Sequence, residues 1–159
     1  VENEELVLYL IKLSEGKLFL IKQLLTLTET QSEILEKKET SKLDRILKQK
    51  QDIMKRIDTL DEEFVDKYDL LKKDSYIDKI ESLQLEGKEN LKLLQDKISQ
   101  IKDITEKIKK IDNINAEKLK QNMESVKNEL KKVKYGKKVA KGYGEKKIGG
   151  YSIFVDKKK

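Results

Sequence analysis

The sequence contains no cysteine, histidine, proline or tryptophan. Without cysteine there is no disulfide, thiolate metal site or sulfur nucleophile. Without histidine the commonest general base, the commonest zinc ligand and every serine–histidine triad are missing as well. These absences argue against enzyme chemistry, so no catalytic residue, metal, cofactor or small-molecule substrate is expected. Average usage would put about 8 prolines in a chain this long, and finding none points to long uninterrupted helices. Apolar runs span only a few residues, far below the ~18 needed to cross a bilayer, so no membrane insertion is expected. Glu2, Glu4 and Glu5 stand where a secretory signal would be basic, and the expected compartment is the cytoplasm, which the lack of cysteine also suits.

Charge dominates what is present: 36 basic and 30 acidic side chains among 159 residues. Leu, Ile, Val and Phe together make up 30% of the chain, above the roughly 20% below which a charged chain stays disordered. A core is possible but thin, which suits one elongated helical domain with much surface per residue. The charge is uneven. Residues 1–130 hold 25 basic and 28 acidic groups, whereas 131–159 hold 11 lysines against Glu145 and Asp156. Five of the seven glycines fall between Gly136 and Gly150. The sequence therefore divides into a helical bundle over 1–134 and a flexible, basic, Gly/Lys-rich tail over 135–159.

Leu6, Tyr9, Leu10, Leu13, Leu20, Leu24, Leu27 and Ile34 recur at spacings of three, four or seven and predict a helix from about 4 to 38. Ser41, read as an N-cap with Asp44 in the first turn, opens a second helix. Its stripe is Leu43, Ile46, Ile53, Ile57, Leu60, Phe64 and Leu71, in strict heptad phase, with Lys50 and Lys67 as misfits. The short connection predicts an antiparallel hairpin. Tyr76, Ile77, Ile80 and Leu83 suggest a short third piece. From Lys88 a last long helix carries Leu91, Leu94, Ile98, Ile101, Ile104 or Thr105, Ile108, Ile111, Asn115, Leu119, Met123 or Asn122, Val126, Leu130 and Val133. The fold class is all-α: an elongated hairpin, a short helix and one long C-terminal helix whose latter half has no partner in the chain. The tail ends in Tyr151, Ser152, Ile153, Phe154 and Val155, a β-prone segment too short to build its own core.

Gly142-Tyr143-Gly144 has no helix after it and no Gly-Lys-Ser/Thr ending, so it is no phosphate loop. The carboxylates Asp58, Asp61, Glu62, Glu63, Asp66 and Asp69 lack a loop glycine and sit within a heptad, as a solvated helix face does. The Lys-rich tail with its tyrosines could meet nucleic acid through phosphates and stacked bases. Against that, Arg45 and Arg56 are the only arginines among 36 cations, and arginine is the better reader of phosphate and base. By itself, Asn115 on an apolar stripe reads as a polar heptad position that sets register.

The layout, with Ile111-Asp112-Asn113-Ile114-Asn115-Ala116-Glu117-Lys118-Leu119 on the last helix, resembles the FlgN type of flagellar export chaperone. The last helix of that family commonly carries an Asn-x-x-Asn-x-x-Leu-Leu-like patch. Asp112 occupies the first Asn position, Asn115 matches the second, Leu119 matches the apolar end, and Lys118 departs from it. Leu43 to Ile53 and the ending Phe154-Val155-Asp156-Lys157-Lys158-Lys159 are also similar to family sequence. The resemblance implies a chaperone that holds the amphipathic C-terminal helix of a secreted hook-associated or cap protein and delivers it to the flagellar type III export apparatus. Its partner-binding surface is expected on Ile108, Ile111, Asn115, Leu119, Met123, Val126 and Leu130. Tyr151, Ile153, Phe154 and Val155 are expected to form a docking segment that lies back on this stripe. The alternatives are a structural coiled-coil homodimer that uses the stripe as its seam and, less favoured, nucleic-acid binding through the tail.

Overall fold

The computed structural model describes residues 2–75 and 89–139. It holds three helices: α1 (Glu2–Glu36), α2 (Leu43–Ser75) and α3 (Glu89–Val139), with a 3₁₀ turn, Thr40–Lys42, between the first two. The described residues include no strand, as an all-α chain requires. The expected short piece at Tyr76–Leu83 and the docking residues Tyr151, Ile153, Phe154 and Val155 lie outside them. The chain separates into two compact units, 1–119 and 120–159.

Within residues 1–119, α1, α2 and the first part of α3 form a three-helix bundle. α1 runs antiparallel to α2 and parallel to α3. One layer joins Val7, Leu10, Ile11 and Leu13 near the start of α1 to Leu71 at the end of α2 and Leu91 and Leu94 at the start of α3. A second joins Leu18, Ile21 and Leu24 to Ile57 and Ile108. Leu10, Leu35, Leu43, Leu71 and Leu94 are almost completely removed from water. Each such side chain contributes roughly 1.5–3 kcal/mol.

α1 is the most deeply packed helix because it carries two heptad tracks. Leu10, Lys17, Leu24 and Gln31 follow one period, and Lys17 and Gln31 reach α2 through Asp61 and Lys50. Val7, Ser14, Ile21, Thr28 and Leu35 follow another, and Thr28 reaches Asn115 of α3. Of these two tracks the sequence stripe touches only the first, at Leu10 and Leu24; Leu6, Leu13, Leu20, Leu27 and Ile34 follow a third period, of which Leu13, Leu20 and Ile34 are buried. The second is harder to see because Ser14 and Thr28, both buried, interrupt its apolar residues. Thr28 is satisfied locally, since its hydroxyl donates to the Leu24 carbonyl at 2.7 Å. Gly16 lies where an added Cβ would come no closer than 3.4 Å to Leu60 Cδ1, so the site has room for alanine.

The hairpin corner is built by backbone geometry. Lys38 adopts φ 56°, the left-handed conformation that usually selects glycine. The Glu39 N–H then donates to the Ile34 carbonyl (3.0 Å) and the Lys38 N–H to the Leu35 carbonyl (3.2 Å), closing α1 with a Schellman pair. The chain enters α2 through the 3₁₀ turn, in which Ser41 is an interior residue; Glu39 is the capping position and makes no side-chain cap bond. Ser41, expected as the N-cap of α2, thus lies inside the turn that precedes it, while Asp44 falls in the first turn of α2 as expected. The backbone bond from Lys42 N–H to the Glu39 carbonyl occupies this part of the corner.

Candidate functional site

The seven residues expected on the partner surface occupy two different environments. Ile108 is 6% exposed and belongs to the second core layer. Asn115 is 1% exposed: its Nδ2 donates to the Thr28 carbonyl at 3.2 Å, and its Oδ1 accepts from the Ser32 hydroxyl at 2.6 Å. A one-turn slip of α3 along α1 would leave a buried amide without partners, so Asn115 fixes the register of these two helices. Ile111 and Leu119 are half-buried, as are Met123 and Leu130, while Val126 is exposed.

A polar layer surrounds Asn115. Lys50, the misfit in the α2 heptad, is buried: its ammonium donates to Gln31 Oε1 at 3.0 Å and pairs with Asp112 at 2.7 Å. Its position in the stripe is therefore filled by an ion pair and a hydrogen bond across all three helices, which offset the cost of burying the charge. The other misfit, Lys67, sits over the Tyr9 ring, 5.2 Å from its centroid, a cation–π contact. Tyr9 also donates to Glu63.

One turn beyond Asn115, Lys118 pairs with Glu36, the last residue of α1. This cation lowers the Glu36 pKa below the usual carboxylate range, through the hydrogen bond first and then through charge. Lys42 does the same to Glu39. The Lys118–Glu36 contact lies at the level where α1 ends.

Residues 120–136 of α3 form a helix in which no side chain is buried. Met123, Val126, Leu130 and Val133 fall on one stripe at spacings of three and four. Val126 is 36% and Val133 53% exposed. The expected surface omitted Val133, although the step of seven from Val126 signals it. α3 continues through Gly136 to Val139, past residue 135, where the change in composition suggested a boundary. The division into a bundle over 1–134 and a tail over 135–159 stays an expectation, since the tail beyond 139 lies outside the described residues.

Two other features have less to offer chemically. A cleft of about 160 Å³ is lined mainly by Leu13, Leu60, Phe64, Ile98 and Ile101. Its polar groups are Ser14 and the Lys17–Asp61 pair, whose ends are 2.7 Å apart. Among the described residues, no three carboxylates converge where a metal could sit. No helix among them is long and apolar enough to cross a membrane.

The family model described as FlgN protein matches residues 6–147. No curated protein and no solved structure matches the chain.

Proposed function

The chain belongs to the FlgN family of flagellar export chaperones, and on that premise we propose that it holds the C-terminal amphipathic helix of a secreted hook-associated or cap protein in the cytoplasm. Bound in this way, the client cannot assemble prematurely and can be delivered to the type III export apparatus. The family is one of chaperones and not of enzymes.

The observation that carries this reading is the stripe of Met123, Val126, Leu130 and Val133 on a helix segment without a buried side chain. An apolar stripe on a regular helix, exposed at Val126 and Val133 and half-buried at Met123 and Leu130, is what a helix-on-helix complex needs. A client helix laid along it, burying roughly 800 Å² on each partner, would reach the usual size of a specific interface. Met123, Val126 and Leu130 form the centre of the surface in this reading. Ile108 and Asn115 serve the core of the bundle, and Ile111 and Leu119, being half-buried, are tested by the same kind of substitution.

Val126→Asp and Leu130→Asp should abolish binding to a hook-associated or cap protein, measured by calorimetry, and leave the circular dichroism spectrum unchanged. Full client binding by both variants would contradict the proposal. If the stripe is instead the seam of a homodimer, light scattering of the protein alone will report a dimer that both substitutions dissociate.

A further inference from the structure

The stripe on residues 120–136 has two unlike borders. In heptad terms Met123 and Leu130 occupy a positions and Val126 and Val133 occupy d positions. The e positions beside them are Lys120, Lys127 and Lys134, an exposed lysine every seven residues. The g positions on the other border are Asn122, Glu129 and Gly136. One side of the stripe is a row of cations and the other is nearly neutral. Residues at e and g choose the partner of a helix and its direction, because they meet the partner's own flanking residues.

We infer that the helix docking on this surface is acidic along one edge of its apolar stripe, with a carboxylate opposite each of Lys120, Lys127 and Lys134. This rests on the reading of the stripe as a client-docking surface and adds the chemistry of the client. A second copy of the chain fits poorly. Antiparallel pairing would bring the two lysine rows together. Parallel pairing would set Asn122 and Glu129 of each copy against Lys127 and Lys134 of the other, so that only the Glu129–Lys134 contact, made twice by symmetry, joins opposite charges and Lys120 and Lys127 stay without an acidic partner across the seam. A partner with acid at all three heptads gains three attractive pairs and repels none, and its on-rate rises with the long-range attraction.

The probe is a synthetic peptide of three heptads with leucine at the core positions and glutamate at both flanks, compared with a counterpart carrying lysine at the flanks. Binding to the full-length chain is followed by fluorescence anisotropy at low and high salt. The glutamate peptide should bind about tenfold more tightly, with a preference that shrinks as salt rises. Lys127→Glu/Lys134→Glu should reverse the preference. Lys131→Glu/Lys132→Glu, which changes net charge equally but lies off the borders, should retain it. Equal binding of the two peptides, or equal loss in the two double variants, would overturn the inference and leave the docking surface standing. Binding of neither peptide would overturn both.

Discussion

The two stretches of α3 use the same alphabet to opposite ends. From Leu91 to Lys118 most of the apolar stripe is covered by the chain itself: Leu91, Leu94 and Ile108 are buried with α1 and α2, Ile101 and Ile111 are half-buried, Ile98 alone is as exposed as Val126, and the polar positions Asp112, Asn115 and Lys118 each find a partner across the bundle. From 120 to 136 the spacing of apolar residues continues, yet nothing is buried. Periodicity thus identifies a face that wants covering, and only the fold tells whether the cover comes from within the chain.

Substitutions should separate the two stretches sharply. Leu94→Ala removes a fully buried side chain and should cost about 2–5 kcal/mol in urea unfolding. Val126→Ala should stay within about 0.5 kcal/mol. Equal destabilisation by the two would erase the distinction. Asn115→Ala removes two hydrogen bonds between α3 and α1, leaving the Ser32 hydroxyl its 3.4 Å contact to the Thr28 carbonyl, and should cost about 1–3 kcal/mol. Asn115→Leu, of apolar character, should recover part of that stability and lose the fixed register between α1 and α3, read as broadened methyl resonances.

Smaller effects test the bundle in the opposite sense. Lys38→Gly relieves a left-handed backbone at the hairpin corner and should raise stability by about 1 kcal/mol. Gly16→Ala should raise it by about 0.5–1 kcal/mol, since the new methyl meets Leu60 at ordinary contact distance. The smallest effect concerns Glu36. Its folded-state pKa is lowered by Lys118, so its contribution is present above the ordinary carboxylate range and is lost as pH falls through the lowered value. Both groups are solvent-exposed and screened, so Lys118→Gln should reduce stability slightly at neutral pH and not at all in acid.

Much of this was legible in the sequence. The hairpin, the long last helix and the positions Leu43, Ile46, Ile57, Leu71, Leu91 and Leu94 follow from spacing alone, because their burial needs only an apolar side chain at the right period. The second track of α1 was not legible, because Ser14 and Thr28 place polar side chains at buried positions, Thr28 with its hydroxyl bonded to the Leu24 carbonyl. Nor was the role of Lys50, whose burial depends on Gln31 and Asp112, 19 and 62 residues away in sequence. Asn115 could be read as a register residue or as part of a client patch. Its contacts to Thr28 and Ser32 give it the first role in the bundle.

The central claim is that the client is held by the stretch of α3 beyond residue 119, while the preceding stretch keeps the chaperone folded. Hydrogen–deuterium exchange of the full-length chain, with and without a secreted hook-associated protein, tests it directly. Amides of residues 120–136 should gain strong protection on binding, while those of 91–118 keep the protection they already have. Unchanged exchange over 120–136, with new protection or opening confined to 91–118, would contradict it.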